Sequence, residues 1–155
     1  MNDAPTEPRV LSPWEYYLLF RNRIEHEDNL IMQRLSWLVA SQSFLFTAQA
    51  ITLSGLLSVP PNASSSLVEL EKLLLHLIPA VAILTSGLIY VGIIAAVKAI
   101  RTLRDSYQSR FGNEQASLPG IMTNDRIRIF GLAAPVLLPL IFIVVWLVLW
   151  TSGMR

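Results

Sequence analysis

Three long stretches without a formal charge constrain the fold of this chain more than any other feature of its sequence. They are residues 35–68, 73–97 and 129–154. Each is longer than the about 20 residues that a helix needs to cross a bilayer core about 30 Å thick. None has the alternating pattern of a barrel strand, and in hydrocarbon a helix satisfies its own backbone. The sequence therefore predicts an all-α membrane protein with three transmembrane helices.

The composition excludes several other classes of protein. Hydrophobic residues make up 53% of the 155 residues and charged residues only 15%, whereas a soluble domain has about 25% charged residues. The net charge of +1 is too small for a nucleic-acid partner. The chain has no cysteine and no glycine-rich phosphate loop. We therefore expect a protein that is not an enzyme and needs no cofactor.

The first helix has a complete start signal in Ser12-Pro13-Trp14-Glu15, in which Ser12 and Glu15 match a capping box. Neither proline nor glycine follows until Gly55, so we predict helix 1 at about 13–57. Its length is about 65–70 Å, and its first part should project from the membrane. Residues 1–11 are expected to be a flexible tail.

The other helix boundaries have similar signals. Ser66 and Glu69 match a second capping box, Gly112 suits a helix end, and Pro79 is expected to bend the helix. We predict helix 2 at about 67–111 and helix 3 at about 124–152. The first two should form an antiparallel hairpin that turns near Pro61 and extends into the cytoplasm. Residues 12–155 would then be a single membrane domain.

Basic residues predict the orientation of the chain. Ten of the 12 basic residues precede the first span or lie between the second and third spans. The positive-inside rule then assigns the N-terminus to the cytoplasm of a bacterial inner membrane and the C-terminus to the outside. Trp37, Trp146 and Trp150 are expected to lie in the interfacial belts.

A heptad-type seam runs along helix 1. Its candidate pore or oligomer positions include polar residues that alternate with aliphatic layers: Arg21, Asp28, Leu35, Gln42, Gln49 and Thr52. A second line on the opposite face consists only of small residues: Ser36, Ala40, Ser43, Thr47, Ala50 and Ser54. Small residues allow close approach of helices in membranes. We therefore expect helix 1 to be innermost and the chain to form a homo-oligomer.

The seam has two interpretations. Rings of Gln42 and Gln49 around a symmetry axis would have the layout of a channel in which helix 1 lines the pore. Alternatively, the two amides only form hydrogen bonds between packed helices, as polar residues in membrane bundles commonly do. Ser86, Thr85 and Tyr90 in the second span are also expected to form bonds between helices.

The densest run of charges lies just before the first span. In the expected hairpin, acidic and basic residues of the first two helices face one another and could form ion pairs: Glu25, Glu27, Lys98, Arg101, Arg104 and Asp105. A metal site is the alternative, but Glu25, His26 and Glu27 are consecutive on a helix and point about 100° apart. We therefore predict no metal site. His76 is either an ordinary interfacial histidine or a proton sensor.

The same region carries a resemblance. The run Arg23 to Leu30, with Arg34, Trp37 and the segment 41–46, resembles uncharacterised small bacterial membrane proteins with an R-x-E-H-E-D-x-L juxtamembrane pattern. The resemblance implies a bacterial origin and no particular activity. In helix layout alone, the chain is also similar to two-span bacterial conflict-system effectors that are thought to form pores.

Together these features predict a small homo-oligomeric channel or pore. The alternative is a non-conducting scaffold or accessory subunit that binds a protein partner through the cytoplasmic apolar faces, which include Tyr17, Ile24, Leu103 and Tyr107. The lipid bilayer is the other expected partner.

Overall fold

The described part of the chain is helical almost throughout. A computed structural model describes residues 12–58, 64–111 and 125–153. It has three helices, α1 (Pro13–Leu57), α2 (Ser65–Phe111) and α3 (Asp125–Gly153), and no strand among these residues. The predicted all-α class is confirmed. The predicted tail at 1–11 and the turn near Pro61 lie outside the described residues.

The two helix starts differ in how well the sequence predicted them. At α1 the capping box forms as expected, since Ser12 N donates to Glu15 Oε2 (2.8 Å) and Glu15 N donates to Ser12 Oγ (3.3 Å). Helix α2 begins at Ser65, so Ser66 lies inside its first turn. The capping box predicted for Ser66 and Glu69 is therefore wrong, and the Ser66 hydroxyl donates to Ser64 Oγ instead (3.2 Å).

Helix α2 is the central helix of the bundle. It packs along both α1 and α3, whereas α1 and α3 share only a small contact. Arg34 of α1 contacts Gly92 of α2, and Tyr17 near the start of α1 contacts Tyr107 near the end of α2. The two helices therefore run antiparallel. The expectation that α1 is innermost is wrong, because the strongly apolar α2 is the helix with two packed sides.

Two hydrophobic clusters join the N-terminal part of α1 to the C-terminal half of α2. The larger contains Ile24 and Ile31 of α1 with Ile93, Val97 and Ile100 of α2. The smaller joins the aromatic rings of Tyr17 and Tyr107, with Phe20 at 5.5 Å from Tyr107 between ring centroids. Burial of each such side chain contributes about 1.5–3 kcal/mol where the alternative is water. These clusters keep the ends of α1 and α2 paired.

Two of the three helices, α2 and α3, are long and apolar enough to cross a membrane. Only 28% and 17% of their apolar windows are buried, whereas the core helix of a soluble protein is mostly buried. This exposure suggests a membrane protein. Helix α1 does not reach the same apolarity, because its charge-free stretch contains Gln42, Gln49 and many hydroxyl side chains.

An exposed aliphatic line marks the outer face of α2. Its members recur every three or four residues and are 42–66% exposed: Leu70, Leu73, Leu77, Val81, Leu84, Leu88 and Val91. We call this line the α2 outer stripe. It extends about 32 Å along the helix axis, close to the thickness of a bilayer core.

Candidate functional site: a polar node between three helices

Gln42 lies where all three helices meet, and its side chain is fully buried. Its Nε2 donates to the Ala82 carbonyl oxygen of α2 (3.3 Å) and to Ser86 Oγ (3.1 Å). Trp146 Nε1 of α3 donates to Gln42 Oε1 (2.5 Å). We call Gln42, Ala82, Ser86 and Trp146 the Gln42 node. Both ends of the amide are bonded within one chain, which offsets the cost of burying it.

Aromatic packing holds the indole in position. Phe46, one helical turn after Gln42, stacks on Trp146 with ring centroids 4.4 Å apart and planes 14° apart. Phe142, one turn before Trp146, lies 6.2 Å from Phe46. The i and i+4 positions put each pair on one helix face. The small contact between α1 and α3 therefore includes this aromatic group and the indole–amide bond.

The Gln42 node bears on the interpretation of the heptad-type seam, because Gln42 lies near the middle of that seam. Gln42 faces α2 and α3 of its own chain, and Leu38 one turn earlier is equally buried. Every polar atom of the amide has a partner inside the protomer, so Gln42 faces neither solvent nor an axis in this arrangement; the pore and the oligomer stay predictions. Trp146 is likewise fully buried, so its predicted interfacial position is wrong.

The remaining seam residues divide into two groups. Leu35, Gln49 and Thr52 are half-buried on the inner side of α1. The Thr52 hydroxyl donates to the carbonyl of Ala48 (2.9 Å), and Gln49 Oε1 is buried with no hydrogen bond among the described residues. Arg21 and Asp28 are exposed. No continuous polar lining therefore follows the seam.

Arg34 provides a second polar tie between α1 and α2. Its Nη1 donates to the carbonyl oxygen of Gly92 (2.8 Å). A Cβ at Gly92 would lie 3.4 Å from Arg34 Nε, at the near limit of ordinary van der Waals contact, so the guanidinium packs closely on the α2 backbone. The interpretation of the sequence counted Arg34 only as a positive charge before the first span. The predicted antiparallel hairpin, which brings the segment around Arg34 alongside the second half of helix 2, was the available signal for this bond.

The predicted ion pairs do not form between the described side chains of α1 and α2. Glu25, Lys98, Arg101 and Asp105 are exposed, and Glu27 is half-buried. Exposed charges gain little from pairing because water competes for them.

Two further charges lie closer to the packed interface. Arg104 is half-buried, and its Nε has no hydrogen bond. Asp28 is exposed as a residue, but partial desolvation of its carboxyl raises the pKa above its ordinary value, and the positive charge of Arg104 opposes this increase.

The line of small residues on α1 is open. All six members are exposed: Ser36, Ala40, Ser43, Thr47, Ala50 and Ser54. The hydroxyls of Ser36, Ser43 and Thr47 donate to carbonyls four residues earlier on the same helix, at 3.0, 2.8 and 2.9 Å. These side chains therefore need neither water nor another helix to satisfy them.

The other polar residues of the second span differ from one another. Ser86 bonds to Gln42 as expected, but Thr85 Oγ1 donates to the carbonyl of Val81 in its own helix (2.7 Å). His76 Nδ1 lies 2.8 Å from the carbonyl oxygen of Lys72 on an exposed surface. In the described ranges, no group of three potential metal ligands comes together.

No protein-family model, curated protein or solved structure matches this chain. The resemblance to small bacterial membrane proteins therefore stays a prediction.

Proposed function

We propose that this chain is a three-span protein of a bacterial inner membrane that serves as a non-conducting, self-associating scaffold or accessory subunit. The proposal combines a topology, an interpretation of the Gln42 node and an open face on α1.

The topology is supported by the depth of the Gln42 node. Ala82 and Ser86 lie midway along the α2 outer stripe, so the segment of α1 bonded to them lies at the same depth. The open side of that segment carries large apolar side chains, with Trp37 75%, Phe44 73% and Ile51 68% exposed. Lipid is the solvent that suits such a surface. Helix α1 therefore crosses the bilayer beside α2 and α3 despite its two glutamines.

Orientation follows from the distribution of basic residues. Ten of the 12 lie before α1's apolar stretch or between the apolar stretches of α2 and α3. The positive-inside rule makes these regions cytoplasmic. The ends of α1 and α2 beyond the bilayer then form a paired cytoplasmic extension, a surface on which a protein partner could bind.

The hydrogen bonds of Gln42 are the observation that favours a scaffold over a channel. A pore lined by α1 would need this amide to face water, yet the amide bonds to α2 and α3 and is fully buried. Opening a water path along the seam would break three hydrogen bonds at bilayer depth, where replacement partners are scarce. The seam therefore joins the helices of one protomer.

Self-association is supported by the opposite face of α1. Its small residues extend from Ser36 to Ser54, about 27 Å along the axis, and the hydroxyls of Ser36, Ser43 and Thr47 bond within α1. Small side chains permit close backbone contact, which drives helix association in lipid. A second copy of α1 fits this face because it offers the same flat surface in return.

The experiment measures particle mass and conductance together. Wild-type protein in nanodiscs should be an oligomer with no conductance in planar bilayers. The double variant Ala40→Leu/Ala50→Leu should be a monomer, because leucine separates the helices. The matched control is Ala95→Leu/Ala134→Leu, which enlarges exposed alanines on α2 and α3 and should leave the oligomer intact. Wild-type monomers would refute self-association, and conductance would refute the scaffold.

A further inference from the structure

The α2 outer stripe leads directly into two exposed cations. The stripe ends at Val91, and the same helix face continues through Ala95 to Lys98, with Arg101 one turn later; all three are exposed. Lys98 lies about 10 Å beyond Val91 along the helix axis. The headgroup layer is about 5–8 Å thick on each side of the hydrocarbon core, and a long lysine side chain can reach back toward it. The ammonium group is therefore at headgroup depth.

Among the residues that the structure describes, neither cation has an ion-pair partner. Glu25 and Glu27, the acidic residues expected to neutralise them, form no ion pair with either. Arg34 already donates to the carbonyl of Gly92, which lies about 9 Å nearer the bilayer centre than Lys98 along the helix axis. Lys98 and Arg101 thus present unpaired positive charge beside a lipid-facing surface. Asp105 is the acidic group on the same helix face, and it lies about 10 Å farther from the bilayer than Lys98.

We propose that Lys98 and Arg101 bind the phosphate of an anionic phospholipid in the cytoplasmic leaflet. The inference rests on the proposed membrane topology. The acyl chains of the bound lipid lie against the α2 outer stripe. The Arg101 guanidinium can donate two parallel hydrogen bonds to phosphate oxygens, and the Lys98 ammonium adds a second positive charge. Basic residues at this depth attract anionic lipids in general, and here two of them converge on one helix face.

The test compares two charge-matched variants in the full chain. Protein is reconstituted in vesicles of equal phosphatidylglycerol and phosphatidylcholine, extracted in mild detergent, and the retained lipids are counted by native mass spectrometry. One variant is Lys98→Gln/Arg101→Gln. The control is Arg21→Gln/Arg23→Gln, which removes the same charge from exposed positions on α1 farther from the bilayer.

Wild-type protein and the Arg21→Gln/Arg23→Gln control should retain phosphatidylglycerol preferentially. Lys98→Gln/Arg101→Gln should reduce that preference about tenfold, since each basic residue near an anionic surface changes binding several-fold. Equal retention in all three proteins, or equal loss in both variants, would overturn the proposal. Full displacement by inorganic phosphate would also overturn it, because the site would then be an anion site rather than a lipid site.

Failure of the underlying topology has a separate signature. If alkaline carbonate releases the wild-type protein from the vesicles, the three-span proposal fails whatever the lipid result. If the protein stays inserted and shows no lipid preference, only the lipid site fails.

Discussion

Gln42 is the side chain that contacts all three helices through polar atoms, and its neighbours allow its contribution to be measured. Trp146→Phe removes the indole N–H but keeps an aromatic ring against Phe46. We expect a loss of about 1 kcal/mol in the free energy of unfolding, the usual size of a hydrogen bond between membrane helices. Reversible unfolding in mixed micelles by a denaturing detergent would measure it.

Gln49 supplies the matched control for the node. It lies two turns after Gln42 on the same seam, and its Oε1 is buried with no hydrogen bond to the described residues. Gln49→Leu should therefore leave stability unchanged or raise it, because it removes an unsatisfied polar group. Gln42→Leu should destabilise, since it leaves the Trp146 N–H unpaired. Equal effects of the two glutamine substitutions would contradict the special role of the node.

Asp28 should make stability depend on pH. Burial raises its pKa from the ordinary value of 3.8, with Arg104 acting in the opposite direction. The folded state therefore favours the protonated carboxyl, so this contribution is complete below pH 3.8 and is lost as pH rises through the raised pKa. Asp28→Asn should remove this part of the pH dependence of stability and should raise the free energy of unfolding at neutral pH by less than about 1 kcal/mol.

Thermal unfolding between acidic and neutral pH would test this effect. Arg104→Gln is the informative second variant. Removing the opposing charge should raise the Asp28 pKa further, so that stability decreases more as the pH rises. A profile for Asp28→Asn that matches wild type would contradict the assignment to this carboxyl.

Sequence reasoning succeeded where the signal was local and failed where partners were distant. Ser12 and Glu15 are three residues apart, and their capping box follows from that spacing alone. Trp146 could not be identified, because α3 is apolar on every side beyond Pro139 and has no periodicity to indicate its packed face. The predicted pairing of Glu27 with Lys98 stays a prediction: facing positions bring opposite charges near one another, but an exposed ion pair gains so little in water that sequence position alone does not determine whether it forms.

Helix α1 differs from its neighbours because its apolar stretch carries two amides. It emerges first during synthesis, before α2 and α3 can bond to Gln42. We therefore expect α1 to insert poorly alone and efficiently in the full chain, because polar groups without partners oppose insertion. In a chain truncated after residue 58, a fused topology reporter should show that α1 crosses the membrane in only a small fraction of molecules. In the full chain, α1 should cross in most molecules.

Gln42→Leu should favour the inserted helix in the truncated chain and destabilise the folded protein in the full chain. In the truncated chain it should increase insertion of α1 several-fold, because leucine replaces an unsatisfied amide. In the full chain it should lower stability, because the Trp146 N–H loses its acceptor. If the truncated wild-type helix already inserts fully, the dependence of α1 on α2 and α3 is refuted.

Across the complete bundle, α2 is the element on which the others depend. It carries the α2 outer stripe, it packs on both sides, and it supplies the carbonyl partners of Gln42 and Arg34. The proposed three-span topology therefore reduces to one question: whether α1 crosses the bilayer with α2 or remains on one side. A two-span protein and a three-span protein differ in the position of the N-terminal end alone.

The absence of cysteine from the chain makes this question accessible to single-cysteine labelling. With a membrane-impermeant maleimide on intact cells, Ser65→Cys and Ser152→Cys should react, because the proposed topology puts both at the outer ends of helices. Asn22→Cys and Ser109→Cys should react only after permeabilisation, and Leu84→Cys should stay poorly labelled because it faces lipid. Labelling of Asn22→Cys in intact cells, with Ser109→Cys still protected, would mean that α1 does not cross. All five positions are exposed in the protomer, so protection from the reagent reports the membrane and not burial in the bundle.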